Sequence, residues 1–310
     1  MSKSNPKKKQ VLERIKLEYD HFTPAQKAIA EFIIHNPESL LFMSISEMAE
    51  KAQVSMASIV RFCNVLGFDG YTQLIKEGKQ EIQSQLSTLG RFNITQNRRS
   101  TQILKASKSW GDSAFSRILT HEMDNLNRLA VTIKVEDFNK AVELIEKADR
   151  ILVLGCMASA SLAAHMGRML CKVIPEVDVA DSDGVLDSAK FLRLTSNSVV
   201  FVIAFPRYPS VTVRLANTAL ESGCHLVSIT DSHLSAISGL GELTFHIRVG
   251  IPSFVDAYAA PLTFISALCT EVAKKNPSRS KSALMKYDDL ALKNNLFDKQ
   301  VWRGRPRKED

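Results

Sequence analysis

The apolar positions of this 310-residue chain change their period once. Between about residues 23 and 83 they recur at intervals of three and four, the spacing of helices that bury one face. Between about residues 150 and 249, short apolar runs alternate with helical stretches. In the first region Thr23-Pro24-Ala25-Gln26 opens a helix: Thr as N-cap, Pro in the first turn, Gln three residues on. Ala28, Ile29, Phe32 and Ile33 form its buried face, and Asn36-Pro37 ends it. Ser44 with Glu47 makes a capping box for a second helix, whose buried positions are Ile45, Met48, Ala49 and Ala52. Gln53-Val54 is a turn, and Ser55 caps a third helix with Ile59, Phe62, Cys63 and Leu66 on its apolar face. Gly67 stops that helix. After a glycine-bounded turn, a further helix from Tyr71 to about Gln83 packs back. Residues 10–85 therefore read as an all-α bundle built around a helix-turn-helix, a plausible size for an independent unit.

Residues 84–108 are rich in Ser, Thr, Asn, Gln and Arg, and the span 86–125 reads as a linker with helical segments. Ile118, Met123, Leu126 and Leu129 restore helical spacing, and residues 135–148 form a further helix. His121-Glu122 begins like a zinc-protease motif, but Asn125 stands where the second His belongs, so no metal is expected there. In the second region the strands are Arg150–Leu154, Glu176–Val179, the almost wholly apolar Ser198–Phe205, His225–Ile229 and Leu243–Val249, and helices lie at 159–172, 184–194 and 210–222. A central run buried on both faces, with helices between strands, predicts a doubly wound parallel sheet over residues 126–275. The apolar stretch Pro252–Lys275 reads as one helix that covers the sheet or mediates self-association. Residues 276–310 read as a helix near 282–292 and a basic tail. The fold class is α/β: an N-terminal helical bundle joined to a parallel-sheet domain.

Composition changes this picture little. The net charge is +7, with lysines at 3, 7, 8 and 9 and the run Val301-Trp-Arg-Gly-Arg-Pro-Arg-Lys308 at the other end. That balance suits a polyanionic partner. Both ends read as solvated basic tails, with a minor-groove contact by Arg-Gly-Arg-Pro as the lesser alternative. The five cysteines (63, 156, 171, 224, 269) are widely spaced and read as reduced core thiols of a cytoplasmic protein. No apolar run reaches the ~20 residues a membrane-spanning helix needs.

Two sets of residues carry candidate chemistry. In the third helix Ser55, Ser58, Arg61 and Asn64 recur at every third position and read as an outward polar row, with Gln53 in the preceding turn. Hydroxyls and amides bond phosphates or base edges, and an arginine fork fits guanine O6/N7 in the major groove. At the carboxyl ends of the strands, where doubly wound sheets bind ligands, Gly155, Ser159, Arg207, Tyr208, Ser210 and Asp231 are the candidates for holding a small effector.

These stretches resemble a known arrangement. Val54-Ser-Met-Ala-Ser-Ile-Val-Arg-Phe-Cys-Asn-Val-Leu-Gly-Phe-Asp-Gly-Tyr71 is similar to the helix-turn-helix of RpiR-family bacterial transcription regulators, and the sheet resembles the SIS (sugar isomerase) domain these regulators carry as a sensor. The resemblance spans about residues 10–275. It implies that Ser55, Ser58 and Arg61 face DNA and that Ser159 falls on the first phosphate-loop serine. Two departures stand out. Met157 replaces a glycine expected two places after Gly155, and Phe205-Pro-Arg-Tyr-Pro-Ser210 replaces a Ser-x-Ser-Gly-x-Thr/Ser motif. Arg207 can compensate with its fork. The expectation is a regulator that binds double-stranded operator DNA as a dimer or tetramer, responds to a phosphosugar or other anionic metabolite, and has no catalytic residue, cofactor or metal. The alternative is a phosphosugar isomerase, for which His165, Asp181, Asp183 and Asp231 are the conceivable bases.

Overall fold

The computed structural model describes residues 10–37, 40, 43–86, 113–182, 184–250 and 253–296. Both basic tails, Asp183 and most of the expected linker lie outside the described residues. Two compact units result, one helical and one built on a sheet.

In the first unit, helices α1 (Val11–Glu18), α2 (Pro24–His35), α3 (Ile45–Lys51), α4 (Met56–Val65) and α5 (Tyr71–Leu86) surround one core. The expected bundle thus gains α1. This helix was not anticipated, because in eight residues only Val11 and Ile15 are deeply buried apolar positions. Both capping boxes form. Gln26 N donates to Thr23 Oγ1 at 3.4 Å and Thr23 N to Gln26 Oε1 at 2.9 Å; Ser44 N donates to Glu47 Oε2 at 2.7 Å. The bonds from Ser44 hold the Glu47 carboxyl below the usual range.

α3 ends in a paired-bond cap: Val54 N reaches Ala49 O and Gln53 N reaches Glu50 O, with Gln53 at φ 55°. α4 ends the same way on Gly67 at φ 80°, with Phe68 N bonded to Cys63 O. The first stop sets how α4 leaves α3, and the second how the chain leaves α4 toward α5. Beneath α4, Ile59, Phe62 and Cys63 are fully buried, and Phe62 meets Phe22 with ring centroids 5.2 Å apart. Burial pushes the Cys63 thiol up to about 11.

Arg14 is a buried cation of this unit. Its guanidinium stacks 4.6 Å over Phe68, donates to Leu66 O at 3.4 Å and lies 3.5 Å from Glu77. It therefore ties α1 to the C-terminal end of α4 across 52 positions of sequence, a contact no local pattern announces.

The second unit begins with α6 (Ala114–Thr132) and α7 (Val135–Lys147). α6 is one continuous helix through the boundary expected at 125/126. Its Asn125 donates to Val249 O at 3.1 Å, and Leu126, Leu129 and Ile133 pack on the sheet core. The chain then runs β1 (Ile151–Leu154), α8 (Ala160–Leu170), β2 (Val177–Ala180), α9 (Val185–Phe191), β3 (Val199–Ile203), α10 (Ser210–Glu221), β4 (His225–Thr230) and β5 (Leu243–His246). All pairings are parallel, in the order β2-β1-β3-β4-β5. The doubly wound expectation is met.

The period of two along β3 sorts the core. Val199, Phe201 and Ile203 face α7, α8 and the long α11 (Ala259–Lys275); Val200 and Val202 face α9 and α10. No helix among the described residues is long and apolar enough to cross a membrane.

Three expectations change here. The helix expected from Pro252 begins at Ala259, and Phe254 and Val255 are exposed outside it. Val255 N instead turns back to Ser253 Oγ, and the Glu122 carboxylate accepts from Ala259 N at 3.3 Å, capping α11 from another helix. Pro261 is tolerated because the first-turn N–H groups have no intrahelical partner. The last helix, α12, runs Pro277–Lys293, longer than expected. Asn276 is its N-cap, accepting from Arg279 N, and Pro277 its first residue. Finally, the five cysteines are free thiols but not all core residues: Cys171, at the C-cap of α8, is exposed.

At the end of β5 the His246 ring lies against His233, centroids 3.7 Å apart, with Nε2 3.0 Å from Ser238 Oγ. Burial first, and the neighbouring His233 second, hold His246 down to about 4. The unfolded imidazole titrates near 6.5, so the folded chain binds fewer protons between these values. Stability contributed here is intact above about pH 6.5 and falls as pH drops toward 4. The melting temperature of wild type minus that of His246→Gln should be lower at pH 5 than at pH 7.5; a difference independent of pH contradicts this assignment.

Candidate functional site

The first candidate surface is α4. Ser55, its N-cap, accepts from Ser58 N at 3.2 Å, which fixes the first turn. Steps of three residues do not stay on one face: each drifts by about 60° around a helix of 3.6 residues per turn. Ser55, Arg61 and Asn64 are exposed as expected, but Ser58 is buried. The outward reading of Ser58 is therefore wrong. Its hydroxyl lies 2.9 Å from Ser55 Oγ and accepts from Arg61 Nη2 at 3.1 Å. Ser58 links the helix cap to the arginine head, and Arg61 is held rather than free. Gln53 is exposed, and its left-handed backbone makes it the pivot of the turn.

The second candidate site lies where β1, β3 and β4 end. Because β2 and β3 flank β1, the chain order reverses between β1 and β3, the switch point at which open sheets leave a crevice. Gly155 opens one wall. A Cβ there would lie 2.9 Å from Ser159 O and 3.3 Å from Ile203 O, so only glycine lets this loop close against β3. Ser159 is buried at the turn into α8. Phe205 to Ser210 form the other wall and lead into α10, whose first residue is the exposed Ser210.

Two of the expected residues meet directly: Tyr208 Oη donates to Asp231 Oδ1 at 2.8 Å, tying the β3 loop to the end of β4. Arg207 is exposed on the same loop.

The backbone in these loops is costly. Met157, Arg207 and Tyr208 have φ of 56°, 85° and 23°, values that side chains other than glycine rarely adopt. Such residues cost of order 1–3 kcal/mol each and gather where ligands bind. Met157 is 77% exposed, so its side chain packs on little. Met157→Gly should raise stability by about 0.5–1 kcal/mol, the left-handed penalty less the entropy glycine adds to the unfolded chain. A fall in denaturation midpoint would contradict the strain.

Sequence reading missed Asp187. From the first turn of α9 its carboxylate accepts from Asp181 N, Ser182 N and Ser182 Oγ at 2.7–3.1 Å and pairs with Lys190. Burial raises its proton affinity, but Lys190 and the Ser182 and Asp181 donors outweigh that, so the carboxyl stays ionised below its usual range. It shapes the loop after β2, beside the crevice. The signal was local: an acidic residue in a helix first turn, three positions after Gly184.

Comparisons with known proteins agree with both halves. Residues 9–85 match the model of the helix-turn-helix domain, rpiR family, and residues 144–271 that of the SIS domain. The chain is 24% identical over 297 residues to the HTH-type transcriptional regulator HexR of Escherichia coli, covering 94% of this chain and 97% of that one. It is 25% identical over 272 residues to HexR of Pseudomonas aeruginosa, covering 85% and 89%. Among solved structures, the Vibrio vulnificus NanR protein complexed with ManNAc-6P superposes with a TM-score of 0.57 at 17% identity, covering 91% of this chain and 98% of that one. The sugar isomerase domain of an RpiR transcription factor from Sphaerobacter thermophilus gives 0.53 at 22%, covering 56% and 97%. Those identities establish the fold of the sheet unit. The chain thus carries an rpiR-type helix-turn-helix followed by a SIS domain, and it is homologous along nearly its whole length to HexR and to other HTH-type transcriptional regulators.

Proposed function

We propose that this regulator grips operator DNA through α4, and that an anionic metabolite in the crevice between β1 and β3 sets how tightly. Arg61 carries the first half of the reading. Its fork projects from a capped helix and is steadied by Ser58, so little side-chain entropy is lost when it meets a guanine. Ser55, Asn64 and Gln53 are placed to bond phosphates or base edges beside it, and Ser58 acts through Arg61.

Two copies bound to a palindromic site would set two α4 helices about one turn of DNA apart. The outer face of α6, with Phe115, Ile118, Leu119 and Met123 exposed, offers an apolar surface for that pairing. α11 does not serve this purpose, since its apolar side is spent on the sheet core. The protein would work in the cytoplasm, where chromosomal DNA is found.

For the effector, Arg207 and the N-terminus of α10 favour an anion, and Ser159, Ser210 and the Gly155 turn provide polar lining. Tyr208 and Asp231, already bonded to each other, suit the hydroxyl or amide side of a sugar. That NanR was solved with ManNAc-6P supports a phosphosugar. The role is sensing: the effector changes operator affinity only by its differential affinity for two arrangements of the protein.

The test is an anisotropy titration of full-length protein on DNA selected from a random pool, with and without hexose 6-phosphates, ManNAc-6P and inorganic phosphate. At least one sugar phosphate should shift the operator Kd by about 5–150-fold, the usual range of coupling. Arg207→Ala should bind operator normally and lose that shift. A normal response in this variant places the effector elsewhere, and turnover of a sugar phosphate would replace sensing with isomerase chemistry.

A further inference from the structure

The exposed face of α4 is only partly polar. At about 100° per residue, the positions turned from the core are, around the helix, Met56, Val60, Asn64, Ala57 and Arg61. Met56 is 54% and Val60 40% exposed, while Ser58, Ile59, Phe62 and Cys63 supply the buried side. One exposed apolar residue on a surface helix means nothing. Here two large ones stand one turn apart, in the N-terminal half of the helix, on the face that also carries Arg61. That half of a reading helix reaches the base edges. The apolar group a base pair presents in the major groove is the thymine 5-methyl.

We infer that Met56 and Val60 read thymine methyl groups beside the guanine addressed by Arg61, making them specificity-determining residues. The inference rests on the assignment of α4 as the DNA-reading helix. Ser58 adds no polar group to this face, since its hydroxyl is committed to Ser55 and Arg61. Val65 is also exposed, but at the C-terminal end of α4, away from the bases.

The experiment uses the full chain and the duplex it selects from random DNA. Each thymine in a half-site is replaced singly by deoxyuridine, which removes the methyl and nothing else. At one or two positions affinity should fall about three- to fivefold, as expected for burying one methyl group. Met56→Ala or Val60→Ala should weaken the thymine duplex by a similar factor and become indifferent to deoxyuridine at the matching position, a non-additivity that identifies contact. Both side chains are exposed, so unchanged melting temperatures confirm that the variants fold. Selective binding with no deoxyuridine effect, an effect undiminished in both variants, or a selected half-site without thymine each overturns the inference while leaving DNA reading by α4 intact. No sequence selection at all removes that underlying reading as well.

Discussion

Arg61→Ala is expected to cost roughly tenfold to hundredfold in operator affinity while leaving the melting temperature unchanged. The magnitude is that of a bidentate arginine–guanine pair, about 1–3 kcal/mol. Stability is spared because the side chain is exposed and its partner Ser58 is also bonded to Ser55. Affinity for scrambled DNA should fall far less, because non-specific binding counts phosphates rather than bases. Ser58→Ala should give a smaller version of the same loss, since it releases the arginine head without removing it. If Arg61→Ala weakens specific and scrambled duplexes by the same factor, Arg61 is a phosphate contact and the operator is read by other residues.

Phe62→Ala is the largest expected effect on stability. Phe62 is fully buried under α4 and packs on Phe22 of the segment leading into α2. Truncating a core phenylalanine costs about 3–5 kcal/mol, through lost burial and the cavity left behind. A helical unit of this size has about 5–15 kcal/mol to lose, so its unfolding should shift to much lower urea. The sheet unit has its own core and should keep its transition, giving two separated steps where domains unfold independently. Phe62→Leu should recover most of the loss. A shift below about 1 kcal/mol would show that the head is held together elsewhere.

These two residues also show what the sequence could and could not tell. Phe62 was legible, because its partners in periodicity are one turn away and the caps on either side are local. The same holds for both capping boxes, for Gly67, and for the continuous apolar run of β3, whose burial on both faces follows from its composition alone. Ser58 departs from the outward row because a spacing of three winds around the helix, and its second position falls about 40° from Phe62, at the edge of the buried side. α11 and α12 were mis-set at their starts for a tertiary and a local reason, respectively. Glu122 caps α11 from 137 positions away, and Asn276-Pro277 is a cap followed by an N1 proline.

In the effector site the residue types were legible and the conformations were not. Met157 and Tyr208 stand where the resembling family carries glycines, the one sign of their left-handed backbone, and nothing announces it at Arg207; it is imposed by loops that must close over the ends of adjacent strands. Nor does the pattern show that Tyr208 and Asp231 are bonded to each other, or that Arg14 braces the end of α4. Those contacts depend on sheet order and on packing between helices, which period and composition leave open.

The central claim is that the exposed side of α4 reads base sequence. The most direct measurement is the affinity of full-length protein for its selected duplex and for a scrambled duplex of equal length, across a range of salt. The account predicts at least a thousandfold preference for the selected duplex at physiological salt, a steep decline of both affinities as salt rises, and a roughly tenfold to hundredfold fall in that preference in Arg61→Ala. Equal affinity for the two duplexes, or a preference that Arg61→Ala leaves untouched, would contradict it.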